Sequence, residues 1–188
     1  MAGCHIIIIP SSRVIDDIVK TGGPQPVLLF YCEKKDPAKS DPTNVLASLL
    51  RQLLRAVPPS SPTLSRLLEQ YEFSQTLEEL PLTDLILELA HEFKRTFVII
   101  DGLDECDDLD SILLEISRLA ETLSVFISSR GHADIRTELG AYEKITIERD
   151  YITEDVRKYV EVEVKRKVRS PKLRASVINE LVSEAQGT

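Results

Sequence analysis

Residues 96–106 read TFVIIDGLDEC, an apolar run that stops at Asp101, turns at Gly102 and adds two more acids, Asp104 and Glu105. Asp107, Asp108 and Asp110 follow, so ten residues carry six carboxylates. An aspartate that ends a buried run sits at the rim of a sheet, where an unpaired charge is costly. A hydrated magnesium ion offsets that cost, because magnesium takes one or two carboxylates together with phosphate oxygens and water. Gly102 permits a tight turn that folds Asp104 and Glu105 back toward the same point, where a carboxylate can orient water against a terminal phosphate. Asp101 is therefore the candidate metal ligand, and Asp104 with Glu105 the candidate catalytic pair. Asp107, Asp108 and Asp110 have a plainer role, capping or opening the next helix.

The surrounding pattern has to hold these residues on a sheet. Val27–Tyr31, Thr96–Ile100 and Leu123–Ser128 read as buried strands, and Tyr142–Ile147 as a further one. Ile6–Ile9 is either a short buried strand or the first turn of a helix. Between the strands lie amphipathic helices. The first runs from a cap at Ser11 or Ser12 to Lys20. The second follows Asp41-Pro42, an N-cap with proline at the first helical position, and carries Val45, Leu46, Leu49, Leu50, Leu53, Leu54 and Val57. A weaker helix is expected at Leu64–Tyr71, and stronger ones with Leu82 to Phe93 and Leu109 to Ala120 on their apolar faces. Strands alternating with helices of crossover length predict an α/β fold, a mostly parallel sheet with helices on both faces. Ligands of such sheets sit at the carboxyl ends of the strands, where Asp101 and Arg130 both fall. From Thr153 a helix with Val156, Tyr159, Val160 and Val164 inward, and a last one at Leu173–Ala185, form a short helical segment. The expected boundaries are 1–150 for the α/β domain and 151–188 for the start of a helical subdomain.

Composition narrows the function classes. A chain of 188 residues with 43% hydrophobic side chains can bury a full core, and its net charge of −8 argues against nucleic acid or an anionic membrane as partner. No stretch has the length of apolar sequence that spans a bilayer, and residues 1–9 lack the basic start of a secretory signal. Cys4, Cys32 and Cys106 have no CxxC spacing, which points to neither zinc nor a disulfide framework, and the setting expected is cytoplasmic and reducing. Cys32 and Cys106, next to strand ends, read as small buried residues. His5, His91 and His132 have no ligand spacing, and no serine lies in a Gly-x-Ser-x-Gly elbow. The tract KRKVRSPKLR at 165–174 is a solvated helical face, with Val164, Val168 and Leu173 left for packing.

Several stretches together resemble one family. FVIIDGLDEC is similar to the extended Walker B motif of NACHT-type (STAND) signalling NTPases of the P-loop NTPase fold. VLLFYCEKKDPAKSDPTNVLASLLRQLL (27–54) resembles the second strand and following helix of NACHT domains abundant in filamentous-fungal proteins, also described as nephrocystin-like N-terminal domains. LSVFISSR (123–130) resembles their sensor strand, and ITIERDYITEDVRKYVEVEV (145–164) the segment leading into the next subdomain. The resemblance covers roughly residues 11–186. It implies an ATP- or GTP-dependent switch that oligomerises on activation, with protein partners or copies of itself. By position, Asp101 would bind magnesium, Asp104 and Glu105 would place the attacking water, and Arg130 would sense the terminal phosphate. An ion pair with a nearby acid is the plainer alternative for Arg130. Ser11 and Ser12, at the phosphate-loop position, are the other candidate nucleotide contacts.

One half of the expected site is missing. Where the family pattern has a glycine-rich loop closing in Gly-Lys-Thr or Gly-Lys-Ser, this chain reads MAGCHIIIIPSSRVIDDI, and no Gly-Lys pair occurs anywhere in it. A phosphate cradle needs successive inward N–H groups and a lysine. β-branched isoleucines resist the left-handed turns of such a loop, and Pro10 has no N–H. Either reading of Ile6–Ile9, a substitute for the central strand being the favoured one, predicts impaired nucleotide binding. A non-catalytic protein-interaction scaffold is the alternative function. The abrupt ends suggest a gene fragment or a shortened gene.

Overall fold

In the computed structural model, which describes residues 5–7, 15–18, 20, 23, 25–71, 76, 80–131, 133–145 and 149–185, the apolar run before Asp101 becomes strand β3 (Phe97–Asp101). Its four apolar side chains are all buried, as β-branched and aromatic residues suit a strand covered on both faces. β3 lies between β2 (Val27–Tyr31) and β4 (Ser124–Ile127), parallel to both. Leu28, Val98 and Val125 share one register row, and Phe30, Ile100 and Ile127 the next on the same face. On the opposite face Phe97 and Phe126 stack with centroids 6.4 Å apart.

β1 (His5–Ile7) pairs in parallel with β4 on one side and β5 (Glu143–Ile145) on the other, giving the order β2-β3-β4-β1-β5. The described part of the isoleucine run is therefore a strand inside the sheet, beginning one residue earlier than expected. Ile8 and Ile9, like the phosphate-loop candidates Ser11 and Ser12, lie outside the described residues. α1 is helical at residues 15–18 and 20. The chain divides into two compact units, Met1–Ile145 and Thr146–Thr188.

Caps explain where the helices begin. Asp36 and Asp41 accept the N–H groups of Ala38 and Asn44, and a proline follows each, opening α2 (Pro37–Ser40) and α3 (Pro42–Ala56). The same signature at Ser61-Pro62 starts α4 (Pro62–Gln70) two residues before the position its apolar side chains indicate. α5 (Leu82–Ala90) and α6 (Leu109–Ala120) complete the set, with Asp108 capping α6 through the Ser111 N–H. α2, like α7 (Ala133–Glu138), is too short to show a helical period in sequence. Leu49, Leu53, Ile86, Leu89, Ile112 and Ile116 of α3, α5 and α6 join the Leu28–Ile127 face of the sheet in one buried cluster. Each such side chain contributes about 1.5–3 kcal/mol by leaving water.

β2 is an edge strand, and an unpaired edge is an aggregation hazard. Gln52 of α3 deals with its midpoint. Its Oε1 accepts the Leu29 N–H at 2.9 Å and its Nε2 donates to the Leu29 carbonyl at 2.8 Å, so one side chain replaces a neighbouring strand.

In the second unit α8 (Arg149–Lys167) packs against α9 (Pro171–Ala185). Val164 and Val182 are buried there, but Tyr159 is 70% exposed and Leu173 57% exposed, so neither is the inward packing residue that its helical spacing indicated. A two-helix unit has one shared seam, and these positions fall off it. Of the basic tract, Arg166 and Lys167 pair with Glu163 one turn earlier, and Arg174 donates to the Val168 and Lys165 carbonyls at the end of α8. No helix among the described residues is long and apolar enough to cross a membrane.

Gln52→Ala leaves the Leu29 backbone groups without these partners and should cost about 1–3 kcal/mol. Urea unfolding should show a lower midpoint at unchanged slope.

Candidate functional site

The candidate residues gather where β2, β3 and β4 end. Asp101 is the last residue of β3, and its carbonyl accepts the Cys32 N–H at 2.8 Å, extending the β2–β3 ladder by one step. Gly102 then adopts φ 72°, the left-handed region open to glycine, and Leu103–Glu105 form a single 3-10 turn. A Cβ at Gly102 would also stand 3.4 Å from the Cys32 carbonyl oxygen.

Ser128, just past β4, pins this turn with four hydrogen bonds. Its hydroxyl donates to Asp101 Oδ1 and accepts from the Gly102 N–H at 3.0 Å. Its N–H donates to the Ile100 carbonyl and its own carbonyl accepts from the Leu103 N–H. The sequence reading did not single out Ser128. A hydroxyl directly after an apolar strand, level with an aspartate at the end of the neighbouring strand, is the signal that marks it.

Arg130 closes the cluster from the same segment. Its backbone N–H and Nε donate to the two oxygens of Asp104 at 2.9 and 2.7 Å, and a terminal guanidinium nitrogen reaches Glu105 Oε1 at 3.0 Å. Glu105 Oε2 accepts the Lys34 N–H at 3.2 Å, which ties the turn to the segment after β2. The ion pair weighed for Arg130 is thus present, and it engages both carboxylates of the candidate catalytic pair. The Asp104 side chain is only 9% exposed, whereas Arg130 is 77% exposed. Desolvation, the largest single influence on Asp104, pushes its pKa up. The Arg130 N–H, the guanidinium hydrogen bond and the positive charge together outweigh it and hold Asp104 below the ordinary aspartate value. The same bonds raise the pKa of Arg130.

The remaining acids have structural duties. The Ser40 hydroxyl bonds Asp107 Oδ2, and the Asp107 N–H donates to the Ser40 carbonyl. Asp108 caps α6, and Asp110 stands in its first turn. Cys32 and Cys106, 74 residues apart in sequence, are both buried and bring their sulfurs within 3.5 Å.

The donors can be tested against a magnesium ion. Among the described residues no group of three or more His, Cys, Asp or Glu side chains could hold a metal. Asp101 keeps Oδ2 free of hydrogen bonds from the described residues, so it fits the single-carboxylate mode in which phosphate and water supply the other ligands. The Asp104 and Glu105 carboxylate oxygens each accept a hydrogen bond in this state, from Arg130 or from the Lys34 N–H.

Residues 9–130, about two-thirds of the chain, match the family described as Nephrocystin 3, N-terminal. The chain belongs to that family. A search of curated proteins found no match. Among solved structures the chain is similar to C. elegans PCH-2, at 14% identity and a TM-score of 0.35, over 94% of this chain and 56% of that one. It therefore spans little more than half the length of that protein.

Gly102→Ala in this nephrocystin-type domain should destabilise it by about 1–2 kcal/mol, the strain of a left-handed side chain, read by thermal or urea unfolding. Because the folded pKa of Asp104 is depressed, its stabilising contribution is present above the unfolded value of about 4 and is lost as pH falls through the folded value. Asp104→Asn should therefore be less stable at neutral pH and lose less stability on acidification, measured by urea midpoints from neutral to acidic pH.

Proposed function

We propose that this chain is the nucleotide-switch module of a NACHT-type (STAND) signalling NTPase, with its Walker B acids retained and its nucleotide binding impaired. The observation that carries the reading is the Arg130 clamp. A cation positioned after the strand beside the acidic one holds Asp104 and Glu105 together, while Asp101 keeps an oxygen open. In a working switch the same arginine leaves the acids for a terminal phosphate, and the acids become free to orient water. The clamp is the resting arrangement of that exchange.

When bound, magnesium supplies positive charge to the phosphate oxygens. Asp101 is the residue that would hold it, and Ser128 fixes the orientation of that carboxylate. The sequence offers no lysine beside a glycine-rich loop to grip the phosphates from the other side. Partners of the module are other proteins or further copies of itself. The family match and the parallel sheet support the reading. The lost Gly-Lys pair supports the impairment, and taken alone it favours a non-catalytic interaction scaffold as the second reading.

Calorimetry with magnesium and ATP or GTP tests this on the unaltered chain, Asp101→Asn and Arg130→Ala. Binding weaker than about 1 mM, equivalent to less than about 4 kcal/mol, is expected for the unaltered chain. Micromolar binding that disappears in Asp101→Asn would show an unimpaired switch. Measurable binding that Arg130→Ala weakens, by removing the contact to the terminal phosphate, favours the switch module over the inert scaffold.

A further inference from the structure

Cys32 and Cys106 are used by no part of the reading above. Cys32 follows β2 and Cys106 follows the acidic 3-10 turn, and their sulfurs face each other at 3.5 Å. A disulfide needs about 2.05 Å, so closure asks for a small side-chain movement. The two backbones are already held beside each other. The Cys32 N–H bonds the Asp101 carbonyl, the Cys106 N–H bonds the Leu103 carbonyl, and the Asp107 N–H bonds the Ser40 carbonyl. The Cβ position of Gly102 lies 4.0 Å from Cys32 Cβ, which shows how closely the turn passes the end of β2.

We propose that Cys32 and Cys106 form a redox-modifiable pair that closes into a reversible intrachain disulfide, fastening the acidic turn to the end of β2. Either thiol can donate to the other sulfur. Either sulfur can attack first, and the other then resolves the product. With a peroxide as oxidant, one thiolate of the pair attacks a peroxide oxygen, the O–O bond breaks, and the departing hydroxide takes up the proton that the thiol had released, leaving a sulfenic acid and water. The second thiol then attacks the sulfenic sulfur, the S–O bond breaks, and hydroxide leaves to take up that thiol's proton as a second water. Two thiols lose two hydrogens and one peroxide becomes two waters. Reduction by a dithiol restores the open pair. Because Glu105 precedes Cys106, closure pulls directly on the carboxylate that Arg130 and Lys34 hold. The inference stands independently of whether nucleotide binds.

The test uses the full chain carrying Cys4→Ser, so that only the pair can react within one molecule. It is treated with dilute hydrogen peroxide, alkylated, digested and read by mass spectrometry. The expected product is a linked Cys32–Cys106 peptide, lighter by two hydrogens, reversed by dithiothreitol, and formed faster in the folded chain than in the same chain unfolded in urea. Cys32→Ser or Cys106→Ser in that background should leave the remaining cysteine of the pair to accumulate as a sulfenic acid trapped by dimedone. Linkage no faster than in urea would overturn the proposal. So would separate over-oxidation of the two sulfurs without linkage, or thiols that remain fully alkylatable in the folded chain.

Discussion

A cluster of acids at the open end of a buried parallel sheet requires a cation, and Arg130 is the one that meets it. β3 delivers Asp101, Asp104 and Glu105 within five residues to one rim, where the Asp104 side chain is largely out of water. β4 runs beside β3, so the residues that follow it arrive at the same rim. Arg130 binds both oxygens of Asp104 and one of Glu105, and Ser128 satisfies Asp101 and the turn behind it. Taking away the guanidinium would leave a largely buried carboxylate without a counter-charge, which is far costlier than the pair itself is valuable.

That constraint also organises the neighbouring segments. Holding the turn with Ser128 positions Glu105 to accept the Lys34 N–H, and this draws the end of β2 toward the acids. The left-handed φ of the turn calls for glycine at position 102, and the approach makes two cysteines neighbours. The core beneath supplies the rigidity. Leu28, Val98 and Val125, then Phe30, Ile100 and Ile127, are level across three strands, so the three strand ends are held at fixed heights. A site made from the ends of a well-packed sheet is pre-formed even without a ligand, because its side chains inherit the positions of the strands.

Much of the fold is legible along the chain. β2, β3 and β4 announced themselves as short apolar runs, and Asp41-Pro42 marked the start of α3 through a cap and a fixed proline φ. α2 and α7 escaped because four and six residues are too few to show a helical period. Tyr159 and Leu173 were misplaced because the apolar pattern of α8 and α9 is weak, and helical spacing gives no phase without a strong stripe. Asp101, Asp104 and Glu105 stood out through local density of charge. Ser128 did not, since one hydroxyl after a strand is unremarkable until its neighbour across the sheet is known.

By itself the sequence determined that a buried strand ends in acids, that helices alternate with strands, and that no lysine follows a glycine-rich loop. These are local properties, set by residue type and by neighbours a few positions away. Only the tertiary structure decided that Arg130 holds Asp104 and Glu105, that Gln52 stands in for a strand beside Leu29, and that Cys32 meets Cys106. Parallel strands are joined by long crossovers, so residues 20 to 75 positions apart become partners through sheet order and register. Nothing in local spacing encodes those two quantities.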